Sequence, residues 1–362
     1  MKIKYWVGLS SIEKLDSLFI TQIYNHFGDI ERAFTASEHE YTQIDGLSIK
    51  KTEAFLECRL NLDLDATLEE VLKRDINILT YEDERYPQIL KEISNPPAVL
   101  YYKGDLFSCN LEKALAVVGS RRATFNGKES LKKIMKGFAN TDACIVSGLA
   151  SGIDTLSHYL AIQNGLKTIG VIASGFDFTY PASNKQLYED IIARHGAILT
   201  EYYPTFEPLK YRFPQRNRIV SGISKGVLVV EAALKSGALI TANVALEQGR
   251  ELMCIPGLIT NPNTEGIYKL LKSGATLTTE SEDIFNALGW EIVPNCNIFE
   301  DLDSLTIDEK KILYTINIEP KSFDEIQNET ELSTDELLIT LTKLELMGKL
   351  EQVIGDRYSI IR

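Results

Sequence analysis

From Leu115 onward the chain repeats one pattern, a short apolar run followed by a helix-length amphipathic segment. The runs are residues 115–118 (LAVV), 144–147 (CIVS), 168–173 (TIGVIA), 197–202 (AILTEY), 226–232 (GVLVVEA) and 252–256 (LMCIP). They are nearly continuous rather than alternating, which suits strands buried on both faces of a parallel sheet. The intervening segments, among them GKESLKKIMKGFAN and SGALITANVALEQG, end in Gly or Asn, residues that stop helices in a left-handed conformation. The alternation predicts an α/β fold, a Rossmann-like domain over 106–290.

The flanks read differently. Residues 1–105 predict a small helical domain with helices near Ser11 to Phe27, over DIERAF, over DGLSIKKTEAFLECR and near Leu64 to Arg74, then an extended lead-in through INILTY, YPQIL and PPAVLYYKG. Gly46-Leu47-Ser48 before a helix has the form of a phosphate-contacting hairpin. The acidity of the region favours a structural helix start there. Residues 291–362 predict three helices and a hairpin turning at Gly355-Asp356, which is the winged-helix order. Its candidate recognition helix, TDELLITLTKLELMG, holds one lysine against three acids, so the charge favours packing or protein contact over DNA reading.

With 362 residues, two or three domains are expected. No apolar run reaches the roughly 20 residues of a membrane span, and the N-terminus lacks a signal-peptide pattern. A cytoplasmic protein is expected. Five scattered cysteines and four isolated histidines predict no metal site, and no cofactor motif is present. The net charge of −13 argues at first against nucleic acid. Its distribution reverses that: residues 1–110 carry −7 and 291–362 carry −9, whereas 111–290 carry +3. An anionic ligand therefore belongs in the middle.

Four places in that region carry candidate chemistry. Gly119-Ser120-Arg121-Arg122 follows the first strand, where backbone amides and Arg121 converge on an anion; a tight turn with a surface arginine is the plainer alternative. Ser147 to Asp154 follows the second strand with small residues, including Gly148, that allow close approach, and Asp154 is expected to orient that loop through backbone N–H groups. Lys210-Tyr211-Arg212-Phe213-Pro214-Gln215-Arg216-Asn217-Arg218 interleaves cations with aromatics in a loop before a helix. Single strands need that combination of phosphate-binding charge and rings for base stacking. Ser236 opens a helix after Glu231 and is either an anion cradle or a simple cap.

Together GSR at 119–121, SGLASGID at 147–154, YPASN at 180–184, FPQRNRIVSGIS at 213–224, SGALITANVALEQGRE at 236–251 and IPG at 255–257 closely resemble the DNA-processing protein A family, also called Smf, over about the whole chain. The resemblance implies a SAM-like helical domain before the Rossmann-like domain and a winged helix after it. It implies a non-enzymatic mediator of natural transformation that binds and protects incoming single-stranded DNA, displaces single-strand-binding protein and loads RecA recombinase. Carried over, Arg121, Lys210 and Phe213 would contact DNA, with Gly148, Arg216, Asn217 and Arg218 as the wall and Lys185 nearby. Ser120 in the first turn and Ser236 at its helix start are further DNA-contacting candidates by position. Ile267, Leu270 and Leu271 would form a homodimer interface. Ser151 and Gln215 stand where the family commonly has Arg and Ala, which weakens the second loop's part in phosphate binding. The rival reading is a Rossmann-like nucleotide phosphoribohydrolase or a binder of nucleotide signals. The first requires a Pro-Gly-Gly-x-Gly-Thr loop that is missing before Glu231.

Overall fold

The computed structural model describes residues 2–139, 141–291, 305–316, 320–330, 332–347, 349–353 and 357–360. These fall into two compact units, one over 1–293 and one over 294–362.

The first unit begins with helices α1 (Ile3–Ser10), α2 (Ser17–Phe27), α3 (Ile30–Thr35), α4 (Glu38–Tyr41), α5 (Ile49–Arg59) and α6 (Leu64–Leu72). Their starts follow from local chemistry: the carboxylates of Asp16, Asp29 and Asp63 accept the free amides of the helices they precede. The first helix was not expected from its sequence. It is held by tertiary burial, with Trp6, Val7 and Leu9 fully enclosed and the Trp6 indole donating to Glu82 at 3.0 Å.

Nine strands among the described residues form one sheet: β1 (Asn77–Thr80), β2 (Val99–Gly104), β3 (Ala114–Val118), β4 (Cys144–Ser147), β5 (Lys167–Val171), β6 (Ala197–Thr200), β7 (Gly226–Val229), β8 (Glu251–Cys254) and β9 (Thr276–Leu277). Their order is β1-β2-β6-β5-β4-β3-β7-β8-β9. All pairs from β6 to β9 are parallel, and β2 joins β6 antiparallel. The extended lead-in thus supplies two strands to the sheet instead of preceding it. The helices that cover the sheet are α7 (Gln88–Lys91), α8 (Phe125–Lys136), α9 (Ile153–Gln163), α10 (Lys185–Ala193), α11 (Arg212–Gly222), α12 (Gly237–Glu247), α13 (Glu265–Lys272) and α14 (Ser281–Leu288). Ala98, Val99, Tyr101 and Tyr203 lie in the same apolar cluster as the N-terminal helices, so helical bundle and sheet share a core.

The second unit packs α15 (Ile307–Ile316), α16 (Phe323–Thr330) and α17 (Thr334–Leu346) against a sheet of β10 (Lys321–Ser322), β11 (Leu350–Val353) and β12 (Arg357–Ile360) in the order β10-β12-β11. This is a winged-helix arrangement. The expected turn at Gly355-Asp356 lies outside the described residues.

The dimer assignment needs correction. Ile267 is fully buried and Leu270 is 4% exposed, both within the core cluster of this same chain, while Leu271 packs only partly against it. The apolar face of α13 is spent on its own sheet, so the first two side chains have nothing to offer a partner. Leu270→Ala should therefore cost about 2 to 5 kcal/mol of stability, measured by denaturant unfolding. A loss below about 0.5 kcal/mol would show that Leu270 is not a core residue.

Candidate nucleic-acid interface

Sheet order fixes where a ligand belongs. From β3 the chain moves through β4 and β5 to β6 on one side, and β7 and β8 lie on the other. Connections diverge between β3 and β7, and the loops leaving their carboxyl ends leave a crevice. A pocket of about 680 Å³ occupies it, lined by Val118 to Arg122 after β3, Gly148 and Ala150 after β4, Ser236 to Ala238 at the start of α12, and Lys210, Phe213, Arg216 and Asn217.

The backbone around the pocket explains its glycines. Gly152 sits at φ +87°, and a side chain there would collide with the Ser120 carbonyl. A side chain at Gly148 would run into the Arg216 guanidinium. The loop between them, with Leu149 at φ +54°, is held by Asp154, whose Oδ2 accepts the Gly148 amide at 3.2 Å and the Ala150 amide at 3.4 Å. Asp154 orients the loop as expected.

The segment expected to be a basic loop is mostly helix, since α11 starts at Arg212. Helical periodicity sorts its cations. Phe213 and Asn217, together with Arg216, face the pocket, whereas Arg212 and Arg218 turn to the other flank. Arg218 pairs with Glu201 at 2.6 Å and is therefore not part of the pocket wall. Arg212 is 2% exposed and bound to Glu13. Arg216 does form wall, but its Nη1 donates to the Gly148 carbonyl at 2.5 Å and also to the Val171 carbonyl. It is a strut between α11 and two strand ends. Lys185 is exposed at the start of α10 and does not line the pocket.

What remains open to a ligand is compact. Arg121, Arg122 and Lys210 are exposed, and none takes part in an ion pair among the described residues. The Arg121 guanidinium stands 5.5 Å from the centroid of the half-buried Phe213 ring. Tyr180, 47% exposed, meets Phe213 edge-on at 5.3 Å. The Ser236 hydroxyl, at the start of α12, is buried and has no hydrogen-bond partner among the described residues. Arg122 and Tyr180 were missed as site residues, although the arginine doublet and the tyrosine of YPASN were signals in view. An exposed cation beside a half-buried ring, over a strand-to-helix turn and a second helix start, is chemistry able to hold a phosphate and stack a base.

Glu231, the acid of the rival reading, is 3% exposed and accepts both the amide and the hydroxyl of Thr124, fixing the start of α8. It braces structure and has no free oxygen directed at the pocket of Phe213.

The profile of the DNA recombination-mediator protein A family matches residues 77–289, and that of the DprA winged helix domain matches 300–356. Protein Smf of Synechocystis is 31% identical, the alignment covering 98% of both chains. The DNA processing protein DprA of Bacillus subtilis is 44% identical over 62% of this chain and 75% of its own length. Among solved structures, DprA from Streptococcus pneumoniae superposes with a TM-score of 0.68 at 36% identity, covering 78% of this chain and 95% of that one. DprA from Helicobacter pylori, solved for its single-stranded DNA binding mode, gives 0.53 at 30% identity, covering 59% and 95%.

Two buried groups below the pocket yield a pH prediction. Burial pushes the Asp154 carboxyl from 3.8 up to about 6, against the pull of Arg216 and the two amides. Burial, with Arg216 nearby, presses His158 from 6.5 down to about 3. As pH rises from about 4 to about 6, the unfolded chain releases the Asp154 proton before the folded one, so this group's contribution to stability falls. Over the same interval unfolded His158 still holds a proton that folded His158 does not, so its contribution to stability rises with pH. The slopes oppose. In Asp154→Asn only the second remains, so the unfolding free energy should climb more steeply with pH than in the parent, by up to about 1.4 kcal/mol per pH unit. Urea titrations across that range check this; parallel slopes would contradict it.

Proposed function

Because the chain belongs to the DNA recombination-mediator protein A family, we propose that it binds single-stranded DNA in the pocket between β3 and β7, with Arg121 and Lys210 on phosphate and Phe213 under a base. The observation that carries this is the Arg121 guanidinium, exposed and in no ion pair among the described residues, 5.5 Å from the centroid of the half-buried Phe213 ring. A phosphate drawn to that cation brings its base within reach of the ring. Ser236 and the turn from Gly119 to Arg122 complete the anion side, while Gly148, Arg216 and Asn217 shape the wall. The single-stranded DNA binding mode described for the Helicobacter pylori relative supports the ligand class.

On this reading the protein is a mediator and not an enzyme. The family resemblance supports its further duties, which are protecting incoming strands, displacing single-strand-binding protein and loading RecA recombinase during natural transformation, in the cytoplasm. No helix among the described residues is long and apolar enough to cross a membrane. A homodimer would be formed by the outer side of the α13 and β9 region, where Leu271 is partly exposed and Leu277, on the edge strand, is 53% exposed.

Arg121→Ala and Phe213→Ala should each weaken oligo-dT binding, the alanine at 213 by about 1 to 3 kcal/mol. The Arg121 change should also flatten the dependence of affinity on salt by about one unit of slope. Fluorescence anisotropy at several salt concentrations measures both. Unchanged affinity in a folded Arg121→Ala protein, or displacement of oligo-dT by equimolar AMP, would refute the DNA reading. Leu277→Glu should convert dimers to folded monomers in light scattering; dimers that persist would place the interface elsewhere.

A further inference from the structure

The start of α11 stands between two cavities. The second, of about 270 Å³, lies on the flank opposite Phe213 and is lined by Tyr211, Arg212, Gln215 and Arg218 with Phe206 and Lys14 across from them. Lys210 is on the rim of the first cavity, and Tyr211, next in the chain, is on the rim of the second. Tyr211 is 54% exposed. Beside it the Arg212 guanidinium stands 5.6 Å from the ring centroid, fixed by Glu13 at 2.6 Å and by the Glu207 carbonyl. Packed also on Phe206 at 4.9 Å and Tyr202 at 5.0 Å, this buried guanidinium braces Tyr211 as an exposed ring at the cavity rim. Unlike Arg121, it is already paired with a carboxylate, so attraction of phosphate here falls to Lys14 and Lys210.

We propose that this second cavity is a further nucleotide subsite for single-stranded nucleic acid, so that a strand seated on Phe213 passes over Lys210 and stacks another base on Tyr211. The inference rests on the reading of the first pocket as the DNA site. Charge permits the path. The acids on this flank, Glu13, Asp16 and Glu201, are each already paired, with Arg212, Lys51 and Arg218. Lys14 and Lys210 are exposed and make no ion pair among the described residues. Two residues of helix turn through roughly 200°, which is why Tyr211 and Phe213 serve opposite sides of one helix start. The strand would therefore wrap that start and not lie flat across the sheet edge.

The experiment compares labelled oligo-dT of roughly 4 and about 16 nucleotides on the full-length protein by fluorescence anisotropy. Tyr211→Ala should weaken the long strand about five-fold or more, the equivalent of one base stack, and leave the short one unchanged. Tyr211→Phe, which keeps the ring, should restore long-strand affinity, and Phe213→Ala should weaken both lengths. Full long-strand affinity in Tyr211→Ala beside a weakened Phe213→Ala protein overturns the subsite alone. An equal loss for both lengths, or no rescue by phenylalanine, assigns Tyr211 a structural role and also overturns it. No loss in either alanine variant removes the first pocket's reading as well.

Discussion

The Arg216 guanidinium, buried between α11 and the ends of two strands, donates to the carbonyls of Gly148 and Val171. Those carbonyls lie at and just beyond the ends of β5 and β4, and a buried carbonyl left without a donor costs about 1 to 3 kcal/mol. Supplying the donor from the third turn-facing position of α11 sets the height of that helix over the sheet. The position of Phe213, one helical turn earlier, follows directly, and so does the narrowness of Gly148, which leaves the guanidinium its room. The aromatic floor of the pocket is thus placed by an arginine whose guanidinium is already engaged by two backbone carbonyls.

This separates two uses of one residue type within nine positions. Arg212, Arg216 and Arg218 are inward or paired, and they join the N-terminal helices, the strand ends and Glu201 to α11. Lys210 and the distant Arg121 and Arg122 are left to solvent on the pocket lining, with Arg121 beside the ring. A guanidinium with several donors in a rigid plane suits the strut role. The net positive charge of the middle region consequently overstates what a polyanion meets in the crevice, where Arg121, Arg122 and Lys210 are the exposed cations of the lining. Their position matters more to binding there than the overall charge of −13.

Much of the sheet was legible in the chain because its strands are doubly buried and read as uninterrupted apolar runs. Each of the six runs from 115 to 256 overlaps an observed strand, β3 to β8, to within one residue at its start. The Asp154 cap was legible too, since a carboxylate near small residues has few other partners than their amides. The direction of the FPQRNR side chains was not. Basic and aromatic residues in sequence suggest a loop, and only the tertiary contacts of Arg212 and Arg216 reveal a helix that divides them between two flanks. The α13 leucines failed for a related reason: an amphipathic stripe declares that it will be buried, but not whether against its own sheet or another subunit. Ile267 and Leu270 went to the former.

The central claim is that a base of single-stranded DNA lies on Phe213 in the crevice between β3 and β7. Ultraviolet cross-linking of oligo-dT to the full-length protein, with the adducts located by mass spectrometry, addresses it directly. Adducts on the peptides that carry Phe213 and Tyr180 are the predicted result. Adducts confined to the N-terminal helices or to α17, with the crevice peptides unmodified, would contradict it.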